Sequence, residues 1–457
     1  MTLEGGFGHP KPGALGGSET GTVKPATETG RDEAQSACGK DEGLGREDLY
    51  EKILSRENMV LAWKRVEANK GSAGVDGLSI EETAEGLKTQ WPKIREELRS
   101  GRYRPQAVRR VEIPKPGGGV RELGIPTVVD RLIQQALLQV LQPLIDPTFS
   151  EFSYGFRPGR SAHDAVAQAK RYVEEGYQIV VDIDLEKFFD RVNHDVLMDR
   201  LAKRIADKRI LKLIRRYLQA GIMANGVVLD RLEGTPQGSP LSPLLANVLL
   251  DEVDKELERR GHKFARFADD CNIYVRSRRA GERVLRSLRR LYAGLHLKVN
   301  ESKTAVGPAF GRKFLGFCFR RWTHGTVKTA VAPKALKAFK DRIREITRRS
   351  GGRSLEQVAE RMRRYMPGWK SYFRPAETPR TFKDLDSWIR HRLRAVQLKH
   401  WKRGCTVYRE VLALGASHEE AAHAAKGGKG WWYRSQSLLN KVLTASYFDS
   451  LGVPRLS

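Results

Sequence analysis

Asp269 and Asp270 are adjacent in Phe267-Ala268-Asp269-Asp270, and the flanks Lys263 to Phe267 and Ile273 to Val275 read as strands. Two carboxylates therefore stand side by side at the tip of a hairpin, where like charges repel unless solvent or a cation compensates. Taken alone, such a pair is an ordinary solvated turn. A second acidic segment runs Ile179-Val180-Val181-Asp182-Ile183-Asp184-Leu185-Glu186-Lys187-Phe188-Phe189-Asp190. Period-two alternation puts Ile179, Val181 and Ile183 on one face and Val180, Asp182 and Asp184 on the other. One of these two aspartates, added to Asp269 and Asp270, makes a three-carboxylate cluster. Hard oxygen ligands of that kind suit Mg²⁺, and two such ions about 3.5–4 Å apart can activate a hydroxyl and stabilise a leaving phosphate. The competing reading has one of the pair capping the next helix.

The elements that must position these residues follow from pattern. Order is expected from Leu49, with an amphipathic helix through Met59, Leu61, Ala62, Trp63 and Val66. Gly71 to Gly77 is a glycine-rich loop without the P-loop lysine. Helices are expected at Ile94–Leu98, Asp130–Leu144, Ser161–Glu175, Asp195–Ala220, Leu244–Arg260 and Gly281–Ala293, and in blocks from Pro333 onward. Strands are expected at Gln178–Asp184, in the hairpins Val108–Ile125 and Phe264–Arg276, and at Lys313–Arg321. Breaks fall near Ser350-Gly351-Gly352, Arg374 to Arg380 and Gly427-Gly428. This is an α+β core followed by a helical module.

Composition narrows the partners. The 457 residues carry a net charge of +27, which favours a polyanionic partner. Residues 326–457 hold 28 lysines and arginines against 11 acids, and five of the eight tryptophans (Trp369, Trp388, Trp401, Trp431 and Trp432). Basic plus aromatic is the composition of a surface that tracks phosphates and stacks bases, although tryptophans in helices more often fill cores. Residues 1–48 hold 11 of the 43 glycines and little apolar pattern, and read as a disordered leader. No run of about 18 apolar residues suggests a membrane span. Cys38, Cys271, Cys318 and Cys405 are scattered singly, which argues against a disulfide framework and suits a reducing cytoplasm. His418 and His423 in His-Glu-Glu-Ala-Ala-His are five apart, so they do not share a helix face as zinc ligands do.

Taken in order, the motifs resemble group II intron-encoded proteins, which are reverse transcriptases with maturase function. They are Arg109 to Pro126 (R-R-V-E-I-P-K-P-G-G-G-V-R-E-L-G-I-P), Ser153 to His163 (S-Y-G-F-R-P-G-R-S-A-H), Asp182 to Asp190, Gly234 to Asn247 (G-T-P-Q-G-S-P-L-S-P-L-L-A-N), F-A-D-D, Leu297 to Thr304 (L-K-V-N-E-S-K-T) and Phe314 to Phe317 (F-L-G-F). Gly368-Trp369-Lys370-Ser371-Tyr372-Phe373 resembles the helical thumb, or X domain. The one visible departure is Phe267, where many members have tyrosine.

The resemblance implies a right-hand polymerase, with a 1–48 leader, fingers and palm over 49–325 and an all-helical thumb over 326–457. It implies Asp184 rather than Asp182 as the third carboxylate, because the family aspartate precedes two aromatics by four and five positions. Asp184, Asp269 and Asp270 are then catalytic metal ligands for two Mg²⁺ ions, with Mn²⁺ as a substitute. Phe189 matches the aromatic beneath the incoming sugar. Lys115 and Arg121 match fingertip cations that neutralise triphosphate charge. Gln237 matches the residue near nucleotide and template, and Lys303 a loop lysine near the leaving pyrophosphate. Implied partners are intron RNA, an RNA template with a DNA or RNA primer, and dNTPs; a homodimer is allowed, and no membrane is involved. The implied setting is the bacterial cytoplasm, with action at the nucleoid. Many members end in a nuclease domain with paired cysteines; only Cys405 follows Cys318, so a form without that domain is expected. Two alternatives remain: a splicing cofactor that binds RNA without polymerising, and a reverse transcriptase domesticated for defence.

Overall fold

The computed structural model describes residues 48–114, 119–224, 227–229, 233–426, 430–437 and 439–457. Lys115, the expected 1–48 leader apart from Asp48, and the expected break at Gly427-Gly428 lie outside the described residues.

A four-stranded antiparallel sheet carries the acidic segments. Its strand order is Lys263–Phe267, Asp270–Val275, Ile179–Ile183, Ala305–Pro308. Helices cover the sheet: Arg278–Gly294 packs on the two central strands, Ile179–Ile183 and Asp270–Val275, and Ala162–Glu174 packs on Asp270–Val275 and the edge strand Lys263–Phe267. Ser161 starts the latter helix with a capping box, its hydroxyl accepting from the Asp164 amide while the Asp164 carboxylate accepts from the Ser161 amide. The helices Val128–Ile145 and Ser242–Arg259 are buried along most of their length and form the centre of one apolar core.

A second sheet lies at the expected fingertip. The hairpin Val108–Pro114 with Val120–Ile125 is extended by two short strands, Ile222–Ala224 and Val227–Leu229. A third, small sheet joins Lys313–Phe314, Phe317–Arg321 and Val327–Val331.

Several expectations shift. The helix expected over Ile94–Leu98 begins at Ile80, because Ser79 and Glu82 form a capping box and Pro92 is tolerated inside. Asp195–Ala220 is two helices, His194–Ala202 and Lys208–Gln219, since Asp207 caps the second by accepting from the Arg209 amide. Lys313–Arg321 is a tight hairpin rather than one strand; Leu315 and Gly316, both at positive φ, turn it. The stretch just after residue 326 is the strand Val327–Val331, held by Phe317–Arg321, and the helical module begins at Pro333.

That module is not a loosely tethered appendage. Its helices Pro333–Ile346, Leu355–Phe373 and Pro379–Trp401 share a core with the Ala162–Glu174 helix and the Phe314–Phe317 turn. Trp369 lies between Phe339 and Phe373, with ring centroids at 4.2 and 4.7 Å, so it fills the core rather than offering a stacking surface. Among the described residues, no helix is long and apolar enough to cross a membrane.

Candidate active site

The turn that carries the paired carboxylates is built to be rigid. Phe267 pairs with Asp270, which leaves Ala268 and Asp269 as a two-residue hairpin turn. Ala268 takes φ +58°, the left-handed geometry such turns require. Arg266, one of the most deeply buried side chains, supports the turn from below. Its Nη1 donates to the Ala268 carbonyl at 2.9 Å and to Asn247 Oδ1 at 3.0 Å; its Nη2 donates to Ser153 Oγ at 2.7 Å. Its Nε and Nη2 donate to the Asp254 carboxylate at 2.5–2.9 Å.

Asp184 stands beside this turn. The register Ile183 to Cys271, extended by one residue, sets Asp184 against Asp270. The Asp184 amide donates to Thr304 Oγ1 at 3.2 Å, and its carbonyl accepts from the Asn300 amide at 2.8 Å. One cleft is lined by Asp182, Asp184, Asp269 and Asp270 together with Lys303, Arg312 and Lys313. Lys303 Nζ is 3.3 Å from Asp184 Oδ2, and Arg312 Nη1 donates to Asp182 Oδ2 at 3.0 Å.

Electrostatics mark the cleft as short of positive charge. Burial pushes Asp270 up to about 7, with Asp182 and Asp269 adding to the rise and Lys313 opposing it. Burial raises Asp269 as well, Asp184 adds, and Arg121 on the strand Val120–Ile125 opposes. Burial also raises Asp182, against the pull of Arg312. Among the described residues, no three His, Cys, Asp or Glu side chains stand close enough together to hold a metal ion. The donor set nevertheless suits a hard divalent cation: three carboxylates lining one cleft.

The other expected residues fall as follows. Phe189 is half-buried, edge-on to Phe188 at 5.1 Å, and its carbonyl accepts from the Thr235 amide at 2.7 Å. Gln237 sits in the same loop, and its carbonyl accepts from the Gly124 amide at 2.9 Å. Gly234, at φ +89°, lets that loop approach: a Cβ there would lie 2.8 Å from the Asp190 carbonyl oxygen. Phe189, Gln237 and the strand that bears Arg121 are thus tied together. Arg121 itself is exposed.

Sequence reasoning missed Arg266, Arg312, Lys313, Asn300 and Thr304 as members of this site. Arg312 and Lys313 directly precede F-L-G-F, and Asn300 and Thr304 lie within L-K-V-N-E-S-K-T, which are the available signals. It also missed the link to the helical module: the Tyr372 hydroxyl donates to the Leu315 carbonyl at 2.9 Å, and His163 Nε2 is 2.7 Å from the Tyr372 carbonyl.

Residues 113–319 match the family model described as reverse transcriptase (RNA-dependent DNA polymerase), and residues 336–412 match that described as group II intron, maturase-specific domain. The chain is 37% identical over 226 residues to protein YkfC of Escherichia coli (strain K12), covering 48% of this chain and 59% of that protein. It is 38% identical over 220 residues to the group II intron-encoded protein LtrA of Lactococcus lactis subsp. cremoris, covering 48% of this chain and 36% of that protein. The chain thus spans less than two thirds of the length of these relatives.

Proposed function

We propose that this chain, whose residues 113–319 match the reverse transcriptase model and residues 336–412 the group II intron maturase model, is an RNA-directed DNA polymerase that also binds intron RNA and assists splicing and mobility. The observation that carries this reading is the single cleft containing Asp184, Asp269 and Asp270, bordered by cations and supported by a buried arginine. In this reading residues 49–325 are fingers and palm, and residues 326–457 the thumb.

The reaction joins a primer 3′-hydroxyl oxygen to the α-phosphorus of a dNTP; the hydroxyl loses its proton and the bond to pyrophosphate breaks. Asp184, Asp269 and Asp270 would hold the divalent metal, Mg²⁺ with Mn²⁺ as a substitute. Two such ions, when bound, supply Lewis-acid stabilisation at the attacking oxygen and the leaving phosphate. Phosphoryl transfer otherwise needs mainly positioning and charge neutralisation. Arg121 and Lys115 neutralise the triphosphate from the fingertip side. Lys303, whose side chain is 66% exposed, is free to turn from Asp184 to the leaving pyrophosphate and give it a proton. Phe189 closes the floor under the sugar, and Gln237, on a loop tied to Gly124, packs near the nucleotide and template.

The basic helical module supplies phosphate contacts to structured RNA, where shape and charge dominate. Extension of oligo(dT) on poly(rA) with dTTP and Mg²⁺ tests the polymerase reading. Template-dependent incorporation is expected. No incorporation by protein that still binds intron RNA would leave only the splicing role.

A further inference from the structure

Phe156 is 46% exposed and has φ +60°, and among the described residues it is the only Phe, Tyr or Trp with positive φ. Both features are unfavourable. A left-handed backbone strains a residue with a bulky side chain, and an exposed phenyl ring forfeits burial. Glycine or asparagine would sit there with less strain, so something outside the fold must favour the aromatic.

The loop around Phe156 is firmly fixed. Ser153 bridges to Arg266, and the Tyr154 amide donates to the Arg266 carbonyl at 2.8 Å, so the loop extends the central sheet beyond its edge strand. The Asn247 side chain donates to the Gly155 carbonyl at 2.9 Å, and a Cβ on Gly155 would lie 2.2 Å from the Ala268 nitrogen. On the other flank, buried Arg157 donates to the Asp146 carboxylate at 2.9 Å and to the Ser153 carbonyl at 3.0 Å. Phe156 is therefore held out beside the turn of Asp269 and Asp270, its ring 6.5 Å from that of Phe267.

We infer that Phe156 is a binding residue for the template strand at the point of synthesis, its ring packing on a sugar or base. The inference rests on the polymerase reading and adds to it a residue for one strand of the duplex. Strand order supports the assignment. Phe156 lies on the Lys263–Phe267 side of the turn, whereas Asp184 and Lys303 lie on the opposite side, toward Ile179–Ile183. Primer end and triphosphate belong with Asp184, Asp269 and Asp270, so the paired strand passes on the side of Phe156. A rigid, exposed aromatic tolerates any base, since every base has a π face.

The test compares Phe156→Asn, Phe156→Gly and Phe156→Trp in the full chain. It reads Kd for an RNA-template/DNA-primer duplex by anisotropy, KM for dTTP, and Tm. Asn and Gly should raise the duplex Kd about tenfold, leave KM for dTTP unchanged and keep Tm at or above that of the parent. Trp should stay within about twofold in Kd. An unchanged Kd in the Asn and Gly variants overturns the proposal. So does a fall in Tm or failure to fold in both, which would mean that the ring serves only to pack on Phe267. A parent protein that binds the duplex but never extends it overturns the polymerase reading, while the Kd comparison still decides the role of Phe156.

Discussion

Arg266 and Asp254 form an ion pair directly beneath the Asp269–Asp270 turn, with side chains 1% and 0% exposed. Burial disfavours the charged arginine, yet Asp254 outweighs it and holds the guanidinium protonated. The same guanidinium fixes the Ala268 carbonyl, so the pair transmits rigidity to the carboxylates.

Removing one partner leaves a buried, unpaired charge. Asp254→Ala should therefore cost about 3–5 kcal/mol of stability. Replacing both with apolar residues, as in Arg266→Met with Asp254→Leu, should recover much of that loss while primer extension stays impaired, because the contact to Ala268 is gone. Chemical denaturation of the two variants checks the difference; equal stabilities would mean that no charge is stranded.

Asp184→Asn should damage polymerisation far more than Asp182→Asn. Asp182 is engaged by Arg312 at 3.0 Å; among the described residues Asp184 is engaged by exposed Lys303 at 3.3 Å and by a 3.4 Å contact from Asn300. Single-turnover rates compare the two. A worse Asp182 variant would reverse the assignment.

The elements of this site differ in how readable they are from sequence. Asp184, Asp269 and Asp270 are legible because their neighbours in the chain carry the pattern: alternating strands, paired aromatics, a hairpin tip. Arg266 is not, because its partners Asp254, Asn247 and Ser153 lie 12, 19 and 113 residues away, and within its strand it reads as one more polar position. The Tyr372–Leu315 contact spans 57 residues and is hidden for the same reason. Short strands such as Val227–Leu229 exist only because a partner edge is offered, so no local periodicity announces them.

Asp270 also gives stability a pH dependence. Its folded pKa, raised to about 7, exceeds the unfolded value of 3.8, so the folded state binds more protons between these limits. Stability of the metal-free protein should fall as pH rises through that window, by on the order of 2–4 kcal/mol, and level off above pH 7. Asp270→Asn should shrink the decline to the smaller share left by Asp269 and Asp182, whose carboxyls burial also raises. Denaturation in EDTA at pH 5 and pH 8 measures it; parallel profiles for parent and variant would contradict the charge imbalance in the cleft.

Phe189→Val should relax sugar selection. If the ring lies under the sugar, the kcat/KM ratio of dCTP to CTP should fall about ten- to a hundredfold, at about 1.4 kcal/mol per factor of ten. Core packing alone would lower stability and leave the ratio where it was. The comparison is made with a variant that melts near the parent.

Primer extension by Asp269→Ala with Asp270→Ala, run beside intron-RNA binding by the same protein, tests the central claim most directly. The account predicts that extension is abolished while RNA binding is nearly unchanged, since removing two negative charges cannot weaken attraction to phosphate. Extension at near the parent rate would contradict it.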